Sequence, residues 1–130
     1  MPRKLSRKGL VKKLDTIFSQ YIRLRNTKGS IAECVTCGKK DHWKKMQAGH
    51  FVGRKHYSTR WNTRNVQVQC MACNVYRYGE QYKYGKWLDN HYGIGTTDEL
   101  FKLGSEIVKF TDYELEEKID YYKYLVEELL

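Results

Sequence analysis

The sequence predicts an α+β fold, in which a stapled strand, loop, strand and helix core sits between a basic amphipathic helix and a run of acidic helices. Three observations predict it. Two Cys-x2-Cys pairs, Cys34/Cys37 and Cys70/Cys73, enclose a loop rich in His and Arg. Alternating segments flank that loop, and apolar residues recur at three and four toward both ends of the chain. At 130 residues the expectation is one domain, 1–130, with a core small enough for a structural metal to matter.

Residues 1–9 show no period and are expected to form a flexible basic arm. Leu10, Leu14, Ile17, Phe18, Tyr21 and Ile22 mark one face of a basic helix over 10–25, and Gly29 falls in the loop that ends it. Ile31–Glu33 reads as a short strand leading into a core over 31–79. The stretch 39–45 reads as polar loop in which Trp43 needs cover. Gln47–Phe51 and Val66–Gln69 are the two core strands, and a helix starts after Cys70. The part over 80–130 is helical and acidic: one helix to Tyr92 before Gly93, then two opened by the capping boxes Thr96-x-x-Glu99 and Thr111-x-x-Glu114. Leu115, Ile119, Tyr122, Val126 and Leu129 form a seam on the last helix, which either packs on the first helix or pairs with a second subunit as a homodimer.

Four thiolates from two Cys-x2-Cys turns suit one tetrahedral Zn²⁺, and with every position filled by sulfur that zinc is structural. Paired spacing without an apolar leader points to a reducing, cytoplasmic setting and to metal ligation over disulfides. No apolar run reaches the roughly 20 residues that span a bilayer, which argues against a membrane partner.

The net charge of +9 is segregated: residues 1–28 carry nine Lys/Arg and one acid, 29–97 eleven and four, 98–130 four and ten. Nucleic acid is expected on the first two parts and away from the third. Candidate DNA contacts are Lys4, Arg7, Lys8, Lys12, Lys13, Arg23, Arg25, Arg54, Lys55, Arg60, Arg64 and Arg77. Tyr76, Tyr78, Tyr82 and Tyr84 are candidates for stacking on unpaired bases.

Phosphodiester cleavage needs a base, a hard cation and groups that hold phosphate. His50 at a strand end suits the base. Asn74, directly after a zinc cysteine, suits an oxygen ligand to Mg²⁺ or Mn²⁺. Arg54, His56 and Arg60 can contact phosphate, and Asn65 can orient His50. His42 and His91 read as structural or exposed.

Cys-x2-Cys, a histidine ending a strand, then Cys-x2-Cys-Asn resembles the HNH or ββα-metal nucleases, including phage endonuclease VII. More closely, F-S-Q-Y-I-R-L-R at 18–25, C-V-T-C-G, A-G-H-F-V-G-R-K-H-Y-S-T-R-W-N-T-R-N-V-Q-V-Q-C-M-A-C-N and Y-G-E-Q-Y resemble the NinG (Rap) family of phage recombination endonucleases. The resemblance implies a zinc-stapled ββα-metal core and a structure-directed endonuclease cutting D-loops and Holliday junctions with Mg²⁺ or Mn²⁺, in the host cytoplasm. It implies His50 as general base, Asn74 as metal ligand and the four cysteines as the zinc set. Two positions depart from the pattern. Gly49 stands where many HNH enzymes have Asp, and Gln47 where similar sequences often have an acid, so no carboxylate is expected in the site. His56, then Gln47, then His50 itself are the candidate further ligands. The alternatives are a non-catalytic zinc-knuckle DNA-binding accessory protein and an RNA-binding zinc ribbon.

Overall fold

The computed structural model describes residues 4–130, so the first three residues of the expected arm lie outside the described residues. Its elements run α1 (Arg7–Leu24), β1 (Ile31–Glu33), β2 (Lys40–His42), β3 (Gln47–His50), α2 (Tyr57–Arg60), β4 (Val66–Gln69), α3 (Gln81–Tyr92), α4 (Thr96–Gly104) and α5 (Asp112–Leu129). The fold is α+β, with two antiparallel two-stranded sheets, β1 with β2 and β3 with β4.

Helix α1 starts earlier than the period indicates because the Ser6 hydroxyl accepts the Gly9 N–H, and this draws Arg7–Gly9 out of the expected arm into the first turn. Its buried stripe, Leu10, Leu14, Phe18 and Ile22, meets Leu115, Ile119 and Val126 of α5 in the main core. Tyr122 packs edge-on against Phe18, with ring centroids 4.9 Å apart. The α5 seam is therefore occupied by α1 within the chain, apart from the exposed Leu129. Thr111 and Glu114 form the expected capping box.

The stretch read as loop over 39–45 instead holds β2 and a short 3-10 turn, Trp43–Lys45. Polar side chains hid it, because β2 is an edge strand whose hydrogen bonds to β1 are backbone only. Trp43 is buried under the Arg23 guanidinium, 5.1 Å from the ring centre. The box at Thr96 does not form. Gly95, at φ +98, precedes the helix and Asp89 Oδ1 accepts the Thr97 N–H instead. A second, smaller cluster of Phe51, Val52, Tyr84, Leu88 and Leu100 ties α3 and α4 to the loop after β3.

Strands β3 and β4 pair from Gln47↔Gln69 to His50↔Val66. All four β4 residues are buried, including Gln67 and Gln69. Alternation in such a strand means two covered faces, one apolar toward α1 and one polar beneath the zinc turn and α3.

Candidate metal and nuclease site

The four cysteine sulfurs lie within 4.8 Å of one another, and Cys37 Sγ is 3.6 Å from Cys70 Sγ. Tetrahedral ligation at 2.3 Å separates sulfurs by about 3.8 Å, so the four need draw together by no more than about 1 Å to hold one zinc. Burial pushes the Cys34 thiol up, but the Thr36 hydroxyl and backbone donors at Cys70, Thr36 and Cys37 outweigh it and bring it to about 6. That favours the thiolate at Cys34, whereas burial and the neighbouring sulfurs push Cys37 and Cys73 upward, so a metal must draw off their protons.

The chain after Cys70 winds into a short, wide π-type helix, Ala72–Tyr76. Asn74 is carried on it, one residue beyond the zinc cysteine, and its N–H bonds to the Cys70 carbonyl. A cleft of about 480 Å³ between α1 and this unit is lined by His50, Asn74, Arg54, Asp15, Phe18 and Ser19, among others. The two side chains assigned the chemistry thus share one cleft.

His50 Nε2 lies 2.9 Å from the Arg60 carbonyl oxygen. A carbonyl only accepts, so the hydrogen sits on Nε2 and the lone pair on Nδ1 is left available. Burial lowers the His50 pKa below the ordinary imidazole value; the Arg60 carbonyl opposes this, the Arg54 charge adds to it, and Asp15 opposes it again. The neutral base form is favoured.

Asn74 Nδ2 donates to Gln47 Oε1 at 2.8 Å, which turns Asn74 Oδ1 toward Gly49. A Cβ added at Gly49 would stand 1.9 Å from Gln69 Oε1 and 3.1 Å from Asn74 Oδ1. Position 49 is therefore glycine for want of space, and the expected Asp has no room beside Gln69. Gly49→Ala is predicted to cost about 1–3 kcal/mol of stability through overpacking, read from denaturant or thermal melts. An unchanged melt would mean that Gln69 swings aside.

The family model described as Bacteriophage Lambda NinG protein matches residues 3–130. The chain belongs to the NinG family. No curated protein and no solved structure gives a significant match.

In this NinG-family chain several assigned residues have other work. Asn65 does not touch His50. It is fully buried, its Oδ1 accepting the Val52 N–H and its Nδ2 donating to the Val52 and Thr59 carbonyls, so it closes the loop between the strands. His56 precedes α2 and is not among the residues lining the cleft. Gln47 meets Asn74 directly, as already described. Arg25 gives its donors to the Thr63 and Val66 carbonyls and to Gln67, and Arg23 to Ser19 and the Trp43 carbonyl, so both pin α1 to the core instead of facing outward. Arg64 pairs with Glu99, Arg7 with Asp112, and Arg77 reaches Cys73 Sγ at 3.5 Å. Lys4, Lys8, Lys12, Lys13, Arg54 and Lys55 are exposed. Tyr84 is buried, its hydroxyl donating to the Gly49 carbonyl, whereas Tyr76, Tyr78 and Tyr82 are exposed.

The expectation of a site without carboxylates is corrected by Asp15. This acid of α1 lines the cleft, where its oxygens accept Arg60 Nε and Nη2 and the Trp61 indole N–H. The pair raises the Arg60 pKa, first through the hydrogen bond that Arg60 donates to Asp15. Asp15 thus places Arg60, whose carbonyl orients His50, and Arg60 neutralises the carboxylate that lines the cleft. The only signal in the sequence is that Asp15 is the single acid among the first 28 residues. Among the described residues no helix is long and apolar enough to cross a membrane.

Proposed function

We propose that this chain is a structure-directed, divalent-metal-dependent DNA endonuclease that cuts branched recombination intermediates such as D-loops and Holliday junctions. The observation that carries the reading is one imidazole, its tautomer set by the Arg60 carbonyl, in the same cleft as the amide of Asn74. His50 Nδ1 takes a proton from a water, and the water oxygen attacks phosphorus as the P–O3′ bond breaks, giving 5′-phosphate and 3′-hydroxyl ends. Asn74 Oδ1, a hard donor that accepts no hydrogen bond from the described residues, fits Mg²⁺ or Mn²⁺. Such a cation, when bound, offsets charge on the leaving oxygen.

Exposed Arg54 on the cleft wall and the exposed lysines of the α1 region suit backbone phosphates, which report shape and not sequence. Tyr78, 90% exposed at φ +55 on the turn just past Asn74, together with Tyr76 and Tyr82 suits unpaired bases at a branch. In a phage-infected cell the enzyme would act in the host cytoplasm.

The test is incubation with synthetic branched and linear DNA, with Mg²⁺ or with chelator. Nicking of the branched substrate that needs the cation supports the reading. Binding with no nicking under any divalent cation leaves the non-catalytic accessory protein, a reading favoured by the neutral Gly49 and Gln47 positions.

The nicking rate should also depend on pH with a set sign. Neutral His50 is the active form and its pKa is lowered, so the rate should hold steady on acidification through the ordinary imidazole range and fall only below it. A rate that already halves at an ordinary imidazole pKa would contradict the buried environment. Stability carries the opposite burden. The unfolded chain binds the proton first, so stability declines as pH falls from the ordinary value toward the folded one.

A further inference from the structure

We propose that Gln69 and Asn74 form a two-amide cradle for the divalent cation, with the Gln69 carbonyl oxygen standing in for the carboxylate that position 49 lacks. This rests on the nuclease reading above.

Gln69 is fully buried on β4. Its Nε2 donates to the Gly79 carbonyl at 2.9 Å and to Thr36 Oγ1 at 3.2 Å. A carbonyl can only accept, so the amide cannot be flipped and Oε1 must be the atom turned toward Gly49. That oxygen is buried with no donor, an arrangement native structures avoid unless a ligand or function explains it. Asn74 Oδ1 comes to the same place from the zinc-held helix, and the two oxygens lie within about 5 Å of one another across Gly49. Two amide oxygens that accept no N–H or O–H from the described residues are what a hard cation fills. A side chain at position 49 would push the Gln69 oxygen aside, and Gln47, by accepting from Asn74 Nδ2, keeps the Asn74 oxygen turned toward it.

The charge balance adds a consequence. Both donors are neutral, and the carboxylate of Asp15 is engaged by Arg60 and Trp61. The remaining negative charge must come from a DNA phosphate, so cation and DNA bind together, each tightening the other.

The test uses His50→Ala, which keeps DNA uncut, and follows free Mn²⁺ by electron paramagnetic resonance with protein, branched DNA, or both. Mn²⁺ held at least about tenfold more tightly by the mixture than by either component is expected, and Gln69→Ala should remove that gain, with zinc content and circular dichroism reporting its folding. In Gly49→Asp/Gln69→Ala the alanine vacates the space, and the new carboxylate should restore Mn²⁺ binding even without DNA. Crystals of the unsubstituted protein soaked in Mn²⁺ with a short duplex need no variant to fold. An anomalous peak bonded to both amide oxygens is the expected result. A peak held by Asn74 without Gln69, or an unchanged Mn²⁺ affinity in Gln69→Ala, overturns the cradle. If branched DNA is still cut in that event, the nuclease reading stands without it. If the unsubstituted protein neither cuts DNA nor retains Mn²⁺, both fall.

Discussion

Cys70→Ser, or exhaustive chelation of zinc, abolishes the cooperative unfolding transition of this protein. Cys34, Cys70 and Cys73 are buried members of the main core, so the staple is continuous with the packing around Trp43, Trp61 and Val68. Each sheet has only two strands, and such ribbons are marginal without outside support. A structural zinc contributes about 10–16 kcal/mol to small metal domains, as much as the whole stability of a typical fold, about 5–15 kcal/mol. The measurement is a circular-dichroism melt with zinc content determined alongside. A sharp melt that survives in chelator would show that α1 and α5 hold the core without metal.

On the proposed nuclease function, His50→Ala is expected to lower the nicking rate on branched DNA by about 10²–10⁴-fold, the usual contribution of a positioned general base, and to leave DNA affinity nearly unchanged. Binding is expected to survive because the exposed cations of the α1 region and Arg54 do not depend on His50. His42→Ala is the control, since its Nδ1 accepts the Lys44 N–H outside the cleft and its loss should leave the rate as it was. Single-turnover nicking of a labelled four-way junction, with parallel gel-shift titrations, separates chemistry from binding. A His50→Ala protein that cuts at the unsubstituted rate would move the base elsewhere.

What could be read locally was read well. The zinc ligands stand in two tight turns whose spacing is itself the geometry, and strand β4 came out at its full extent because Val66 and Val68 alternate with Gln67 and Gln69. The α5 cap was legible for the same reason, since Thr111 and Glu114 are three residues apart. Edge strand β2 was missed because backbone pairing leaves no apolar period, and the Thr96 box failed because the Thr96 hydroxyl turns back to the Gly93 carbonyl while the Glu99 N–H bonds to the Gly95 carbonyl.

The family match, the cysteine quartet able to hold zinc and the candidates His50 and Asn74 were legible in the sequence itself, because two Cys-x2-Cys pairs and the residues beside them are written in short stretches of chain. The tertiary structure decided which partner each long polar side chain finds. Asp15 meets Arg60 across 45 positions, Arg25 meets Gln67 across 42, and Asn74 meets Gln47 across 27. Whether a buried arginine, asparagine or glutamine binds DNA, orients a base or clasps a loop depends on those distant neighbours, since a buried polar group is stable only against the partner the fold brings to it.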